Sequence, residues 1–404
     1  MDKLEFSNKT INLIKYLKEA NSDFSFRVNR KGLEDFNDKF QIYYQNKLDV
    51  FQDHVRQVIP GVLNYNINSR KHLKELLDYY GIKPINNKPW KEEESSASQK
   101  VWVPYTEKFP GKYKLLEELL SLKEIEILRR RLTGSKSKKE DSSIFSYFSE
   151  DEDYPTITTD FTFGHRCVHQ IIYSLPYEIR EYLLPLDPEK NQFVYYDLSS
   201  AELSFLSQLI KCENLHQDIQ SGNFWSLWLE KLNLTPDKKD DLKSSVYSII
   251  YSAGPTAISP SVPQSLFNLL LQQYSELKQY LLLKKIQFNQ GIRAGHLWEG
   301  SYYNVEGHSN PFPAMLSRPI QVGLTIISMA ITKKLRDKGL KVRTWNVDSC
   351  TIEVPKGDIG YLDEMIKDSY SMLGFEFNYK LQSGNTYAQA QLGMIPPLVK
   401  ELMV

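Results

Sequence analysis

An apolar, aromatic run that ends in an acid is the clearest pattern in the chain. Phe193 to Tyr196 predict a buried strand, Asp197 stands at its end, and apolar positions at helical spacing resume at Leu203. Ser199, with Glu202 three residues later, has the spacing of a capping box, which favours a plain strand-to-helix turn. The alternative is that Asp197 holds a divalent metal ion and that Glu202 faces a substrate. This stretch alone leaves both interpretations open.

A second acid lies at the tip of a predicted hairpin. Polar and apolar positions alternate from Leu340 to Val354 on both sides of a two-residue turn at Asp348 and Ser349. This pattern predicts two antiparallel strands with Asp348 at their tip. An acid in such a turn usually serves as a turn former. Asp348 therefore indicates a functional site only in combination with Asp197.

A helix with regularly spaced cations and phenols lies between the two acids. Thr235-Pro236 offers an N-cap and a first helical residue. Lys239, Lys243, Tyr247 and Tyr251 then follow at intervals of four, which puts them on one slowly rotating stripe. Such a stripe is either an ordinary half-buried face or a nucleotide site. In a nucleotide site, two ammonium groups hold a triphosphate while the rings meet the base and the sugar.

A further predicted helix ends in a basic segment. Apolar residues recur at three- and four-residue steps from Leu115 to Leu132, which indicates one apolar helix face. A helix leading to a basic tip suits a sequence-independent grip on a phosphate backbone, and a solvated charged loop is the alternative. The basic residues are Arg129, Arg130, Arg131, Lys136, Lys138 and Lys139.

The segment Gly164 to His169 combines histidine, cysteine and arginine. His165, Cys167 and His169 recur at every second position. Zinc sites usually space paired ligands two to four residues apart and need a second pair, which is missing here. A nucleic-acid contact by Arg166 is therefore the favoured use of this segment.

The composition of the chain restricts its expected partners, its cellular compartment and its association with membranes. The 404 residues carry 50 Lys+Arg and 50 Asp+Glu, so a nucleic-acid partner would need a local basic surface. Three widely spaced cysteines indicate a reducing compartment and no disulfide framework. The start lacks the pattern of a leader peptide, and the longest apolar run, Val322 to Ile331, is too short to span a bilayer. We expect a soluble, cytoplasmic protein with no membrane partner.

Taken in order, these motifs resemble those of family A DNA polymerases, the bacterial DNA polymerase I group. Asp197-Leu-Ser-Ser-Ala-Glu202-Leu resembles motif A, Asp-Tyr-Ser-Gln-Ile-Glu-Leu, and the stripe from Lys239 to Tyr251 resembles motif B. Pro319-Ile-Gln321 matches the Pro-Ile-Gln of a palm helix, Val347-Asp348-Ser349 stands where the family has His-Asp-Glu, and Gly164-His-Arg166 is similar to the family's Gly-Arg. The resemblance runs from about residue 64 to the end.

The resemblance implies an α+β, right-hand polymerase fold, with an antiparallel palm sheet and helical fingers and thumb. It also implies a division of the chain into five parts. These are an N-terminal helical region of unknown role (1–63), the thumb and connecting segments with the basic tip (64–155), the first part of the palm with motif A (156–204), the fingers with the motif B helix (205–290), and the second part of the palm with the motif C hairpin (291–404).

The resemblance also implies residue roles. Asp197 and Asp348 would bind two Mg²⁺ ions, with Mn²⁺ as a substitute, and Lys243 would contact the triphosphate and assist the leaving pyrophosphate. Glu202 would crowd a ribose 2′-OH. The other implied contacts are Lys239 on the triphosphate, Tyr247 at the sugar, Tyr251 near the templating position, Arg166 and Gln321 on the minor-groove side of the primer end, and the basic tip on DNA.

The implied activity is template-directed DNA polymerisation, in which dNTPs are added to a primer 3′ end. Fewer than about 70 residues precede the recognisable part, so we expect no proofreading exonuclease. The composition resembles polymerases of phages and mobile elements, including staphylococcal chromosome cassettes, and suggests a role in their replication. Implied partners are primer-template DNA and dNTPs, with a small accessory protein and a helicase as further candidates.

Two alternatives stay open beside this activity. One is a primase-like polymerase that starts chains with the help of a small partner protein. The other is a catalytically inactive DNA-binding subunit, which Val347 and Ser349 motivate because they replace the family's His and Glu. Lys239 in place of Arg and Ser252 in place of Gly are further departures from the family pattern.

Overall fold

The structure is a computed structural model, and only part of the chain is described in it. The described residues are 3–5, 11–12, 15–16, 24–59, 61–82, 106, 109–134, 143–151, 155–158, 161–163, 167–169, 172–252, 258–296, 302–357, 359–371 and 373–403. Residues 84–99, whose polar composition indicates a solvated linker, lie outside them.

The chain divides into two compact units. The first comprises Met1–Arg27, Thr158–Ser174 and Leu183–Met394, and the second comprises Val28–Ile157, Leu175–Tyr182 and Ile395–Val404. The predicted division into thumb, palm and fingers remains a prediction. Both acids and the Lys/Tyr stripe belong to the first unit.

Strands and helices are mixed throughout the described chain. The strands are β1 (Lys3–Glu5), β2 (Ser25–Val28), β3 (Thr156–Thr158), β4 (Phe161–Phe163), β5 (Cys167–His169), β6 (Leu183–Leu184), β7 (Asn191–Leu198), β8 (Ala294–His296), β9 (Tyr302–Asn304), β10 (Lys341–Trp345), β11 (Ser349–Pro355) and β12 (Tyr379–Gly384). The helices are α1 (Arg30–Val58), α2 (Arg70–Tyr79), α3 (Lys114–Thr133), α4 (Tyr177–Arg180), α5 (Ala201–Leu209), α6 (Glu213–Gln220), α7 (Phe224–Lys231), α8 (Lys239–Ser252), α9 (Ser265–Gln273), α10 (Ser275–Asn289), α11 (Pro311–Asp337), α12 (Gly360–Ser371), α13 (Tyr387–Leu392) and α14 (Pro397–Met403). Short 3-10 turns span Ile144–Tyr147, Ile172–Ser174 and Pro236–Lys238.

A four-stranded antiparallel sheet forms the centre of the first unit. Its strand order is β10-β11-β7-β12, so β7 has a neighbour on each side. Val194 and Tyr196 of β7 and Cys350 and Ile352 of β11 are fully buried. Because side chains alternate along a strand, these residues form one apolar face, and Asp197 lies on the other face.

Helix α11 packs beside this sheet and also contacts α5 and α8. It begins at Pro311, eight residues before Pro319-Ile-Gln321. Gly323 allows its close contact with α5, because a Cβ atom at this position would lie 2.1 Å from Phe205 Cζ. A methyl group there would force the two helices apart, so the glycine sets the position of α5 after β7.

The predicted hairpin is confirmed, but its turn lies one residue earlier than expected. The Asn346 N–H donates to the Ser349 carbonyl at 2.7 Å, so Val347 and Asp348 form the turn. Ser349 is the first residue of β11 because it pairs with Asp197 in the ladder. Long-range pairing with β7 thus overrides the local preference of an Asp-Ser turn.

In the second unit, α1 packs against α3. The prediction for α3 is confirmed, because Leu115, Leu119, Leu122 and Leu128 are buried. Ser69 caps α2, since its hydroxyl accepts the His72 N–H at 3.3 Å.

Candidate active site

The two predicted acids lie at the same end of adjacent strands. Asp197 is near the end of β7 and pairs with Ser349 of β11, and Asp348 immediately precedes Ser349. The Leu198 N–H donates to the Asp348 carbonyl at 2.8 Å, which ties the hairpin turn to β7. Residues 151 positions apart in sequence thus become neighbours through one strand pairing.

The electrostatics of Asp197 reflect this neighbour. Burial raises the pKa of Asp197 to about 6, and the Asp348 carboxylate contributes to the rise. Lys380, a hydrogen bond from the Tyr195 hydroxyl and Lys243 act in the opposite direction. The two carboxylates are therefore close enough to repel, and a cation bound between them would relieve that repulsion.

The turn between β7 and α5 is not a capping box, so that interpretation was wrong. The N-cap is Ser200, which has a left-handed φ of 51° and makes no side-chain cap bond. The Ser199 N–H instead donates to the Asn378 carbonyl at 2.7 Å. Glu202 is half-buried in the first turn of α5, two residues after the N-cap Ser200.

Part of the predicted Lys/Tyr stripe on α8 lies within electrostatic reach of Asp197 and Asp348. Burial raises the pKa of the Tyr247 phenol above its ordinary value, and the charges of Glu202 and Asp348 raise it further. The rings of Tyr247 and Tyr251 stack, with centroids 6.4 Å apart. Lys243 is 40% exposed and acts electrostatically on Asp197, whereas Lys239 is exposed.

Trp225 on α7 joins these elements and was missed in the sequence. Its indole N–H donates to the Ser200 hydroxyl at 3.0 Å, and its ring lies 6.2 Å from the Tyr247 ring. Lys243 Nζ lies 5.8 Å from the same indole ring. Trp225 thus connects the turn between β7 and α5 with α8. No local sequence signal indicates this, because the three contacts come from separate segments.

Lys380 and Tyr195 flank Asp197 and were also missed. Lys380 of β12 pairs directly with Asp197, and it is exposed. Tyr195 lies two residues before Asp197 on the same strand face, and its hydroxyl shares a hydrogen bond with Ser349. Alternation along β7 could have indicated Tyr195, but the register of β12 is not readable from the sequence.

The basic end of α3 contacts an acid of the same helix, and its use on DNA remains a prediction. Arg129 donates to buried Glu126 at 2.6 and 2.9 Å, and its guanidinium lies 5.3 Å from the Tyr44 ring centroid. Arg130 also donates to Glu126, at 3.1 Å, but it is exposed. Burial opposes ionisation of Glu126, yet hydrogen bonds from Arg129 and Tyr44 hold its pKa below the ordinary value. Arg129 is therefore held within its own unit, and the three- and four-residue spacing from Glu126 was the signal for this.

The other predicted DNA contacts remain predictions. Gln321 lies on α11 and is only 7% exposed, and Arg131 is half-buried. Arg166, Lys136, Lys138 and Lys139 lie outside the described residues.

Cys212 and Cys350 are buried free thiols.

Within the described ranges, no three His, Cys, Asp or Glu residues are grouped to hold a metal ion. The Asp197 and Asp348 pair is thus a two-carboxylate set of hard oxygen donors. Such a set fits Mg²⁺, which keeps several waters and takes substrate phosphate oxygens as further ligands.

Comparison with known proteins bears on the fold. The sequence matches no protein family and no curated protein. The structure is similar to the POL domain of Pol1 from M. smegmatis, solved in complex with a DNA primer-template and a dNTP. The TM-score is 0.68 at 14% sequence identity, and the match covers 91% of this chain and 68% of that chain.

This chain has the fold of a DNA polymerase domain. The similarity covers nearly the whole chain, so the motif order described above occurs within a polymerase-domain fold. It agrees with the predicted mixture of helices and antiparallel sheets.

One described helix, α11, is long and apolar enough to cross a membrane by length and composition alone. However, 83% of its most apolar window is buried within the protein. In a polymerase-domain fold, its apolar character is that of a core helix packed on a sheet.

Proposed function

We propose that this protein is a template-directed DNA polymerase that adds dNTPs to a primer 3′ end. The observation that carries the proposal is the meeting of Asp197 and Asp348 at one end of the sheet, in a polymerase-domain fold. A turn-forming role of Asp348 would not explain why a second, half-buried acid, Asp197, lies beside it. Such a like-charged pair costs stability unless a cation is bound there, which is typical of functional sites.

Asp197 and Asp348 would hold the metal ions, and their oxygen donors suit Mg²⁺ or Mn²⁺. Two such ions, when bound, stabilise charge on the attacking and leaving oxygens of phosphoryl transfer. Asp197 sits between Asp348 on one side and Lys380 on the other, so its orientation is set by two strand pairings. The reaction joins the primer 3′ oxygen to the α-phosphorus of the dNTP and releases pyrophosphate.

Helix α8 would bind the nucleotide. Lys243 and Lys239, one turn apart, would hold the triphosphate, and Lys243 would balance the charge of the leaving pyrophosphate. Tyr247 lies within the electrostatic reach of Glu202 and Asp348, a position that suits the sugar of an incoming nucleotide. Glu202 would then exclude a ribose 2′-OH, and Tyr251 would stack near the templating base.

DNA contacts follow from the remaining residues. Arg130, Arg131 and the basic segment after α3 would hold phosphates, whereas Arg129 would support them by fixing Glu126. Arg166 and Gln321 would contact the minor-groove side of the primer end. The resemblance to polymerases of mobile elements motivates a role in replicating such an element.

Primer extension tests the proposal. Purified wild-type protein, a primed template, four dNTPs and Mg²⁺ should give extended primers, and Asp197→Asn and Asp348→Asn should each lose about 10²-fold or more of the rate. Asp363→Asn is the matched control, because Asp363 is a half-buried acid on α12 that serves an ion pair with Lys367.

No extension by the wild-type protein would favour the inactive DNA-binding subunit. Extension that survives Asp348→Asn would show that the second acid is not a metal ligand. An unprimed single strand in the same assay separates a primase-like polymerase from one that needs a primer.

A further inference from the structure

The strand register places a cation beside the acid pair. Ser349, Asp197 and Lys380 pair across β11, β7 and β12 and form one row. Directly paired residues in antiparallel strands project to the same face, with Cβ atoms about 5 Å apart. Asp197 therefore has a flexible ammonium group as its neighbour on the side opposite β11.

The position of Lys380 differs from that of a structural lysine. It is exposed, and no ion pair within 4.0 Å connects it to an acid of the described chain. Some other surface lysines of the same unit are paired, namely Lys333 with Asp337 and Lys367 with Asp363. Lys380 thus retains an ammonium group that can meet an anion brought to the acid pair.

The next row on the same face is also polar. Thr351, Tyr195 and Gln382 pair across the same three strands, whereas the opposite face carries the buried Cys350 and Tyr196. The residues around Asp197 on this face are therefore polar, with Lys380 exposed, Tyr195 and Gln382 half-buried, and Ser349 and Thr351 buried. The accessible part of this row lies on the β12 side of Asp197, at Lys380 and Gln382.

We propose that Lys380 binds a phosphate of the substrate next to the acid pair, and that this phosphate is the terminal phosphodiester of the primer. This inference rests on the proposed function. The α8 lysines, Lys239 and Lys243, already provide cations for a triphosphate. Lys380 stands on β12 and pairs with Asp197 from the side opposite the hairpin that bears Asp348, which suits the other anion of the reaction.

The charge of Lys380 has a second consequence. An ammonium group beside Asp197 repels a divalent cation at the acid pair, so it weakens metal binding in the absence of DNA. A bound primer phosphate would neutralise Lys380 and remove this penalty. Primer and metal would therefore bind cooperatively, because each removes a charge that opposes the other.

Lys380→Met and Lys380→Arg test the inference, with Lys356→Met as the matched control. Lys356 is an exposed lysine just beyond the opposite end of β11, so its replacement makes the same charge change in the same sheet. The dissociation constant of a fluorescent primer-template is measured by anisotropy in Ca²⁺ at two salt concentrations. Mn²⁺ binding to DNA-free protein is measured by electron paramagnetic resonance.

Lys380→Met should weaken primer-template binding about 3- to 10-fold and lower the salt slope by about one. It should tighten Mn²⁺ binding about 3-fold or more, while the KM for dNTP stays within about 2-fold. Lys380→Arg should restore both binding constants to near the wild-type values, and Lys356→Met should change neither. A lysine with only a structural role would not shift DNA and Mn²⁺ binding in opposite directions.

Unchanged DNA and Mn²⁺ binding in Lys380→Met would overturn the inference. A higher KM for dNTP with unchanged DNA binding would also overturn it, because the phosphate would then belong to the nucleotide. Wild-type primer extension is measured in parallel. If the wild type does not extend the primer, the proposed function is refuted. If the wild type is active but Lys380→Met leaves DNA and Mn²⁺ binding unchanged, only the role of Lys380 is refuted.

Discussion

Asp197→Asn tests the acid pair without using catalysis as the readout. Asparagine keeps the shape of the side chain and its ability to accept from Tyr195, but it carries no charge. The substitution therefore removes both the desolvation of a carboxylate and its repulsion by Asp348. We expect the metal-free variant to be more stable than the wild type at neutral pH.

The magnitude follows from the pKa of Asp197. It is raised from 3.8 to about 6. At about 1.4 kcal/mol per unit the shift corresponds to about 3 kcal/mol, and solvent screening of a half-buried group reduces this to about 2 kcal/mol. Between about pH 4 and pH 6 the folded protein holds a proton that the unfolded chain has released, so the free energy of unfolding falls as pH rises. The penalty is complete above about pH 6 and absent below about pH 4.

Urea denaturation in EDTA at several pH values between about 4 and 8 measures this difference. The variant should exceed the wild type by about 2 kcal/mol at pH 7.5 and match it at pH 4. Asp363→Asn is a control of opposite sign, because hydrogen bonds from Lys367 and Tyr379 hold the pKa of Asp363 below its ordinary value. That variant should be less stable than the wild type at pH 7.5.

Metal addition completes the test. Mn²⁺ at about 100 times its dissociation constant should stabilise the wild type by about 2.7 kcal/mol and leave Asp197→Asn nearly unchanged. A wild type whose stability does not depend on pH across this window would refute the reasoning. So would an Asn variant that is less stable at pH 7.5, since the two acids would then not repel each other.

Three further predictions concern the surroundings of the acids. Trp225→Phe should raise the KM for dNTP about 5-fold in steady-state kinetics, because it removes a hydrogen bond worth about 1 kcal/mol while a ring still contacts Tyr247; an unchanged KM would remove Trp225 from the site. Glu202→Ala should raise incorporation of rNTPs relative to dNTPs in primer extension, and an unchanged ratio would contradict the exclusion of a ribose 2′-OH by Glu202. Gly323→Ala should lower the free energy of unfolding by about 2 kcal/mol, because the added methyl meets Phe205; denaturation at wild-type midpoint would contradict this packing.

The amino-acid pattern predicted most local elements of the site. A run of aromatic and β-branched residues ending at Asp197 was enough to indicate a strand that delivers an acid to its end. The alternation around Asp348 indicated the hairpin, and the spacing from Lys239 to Tyr251 indicated one helix face. These features depend on residues close in sequence, so periodicity alone reveals them.

The capping-box interpretation failed because distant contacts compete with local ones. The capping box at Ser199 did not form, because its N–H bonds to Asn378 and the hydroxyl of Ser200 bonds to Trp225. At Ser199 long-range partners thus outweigh the local preference. Arg129 stays a predicted DNA contact, although Glu126, three residues earlier on the same helix, binds its guanidinium.

The sequence by itself thus determined which segments form strands and helices, which faces are apolar, and the order of the motifs. Only the tertiary structure decided that β7 lies between β11 and β12, and hence that Asp197 meets Asp348 on one side and Lys380 on the other. The physical reason is that side-chain periodicity is a local property of the backbone. Strand register depends instead on hydrogen bonds and packing between segments more than 150 residues apart.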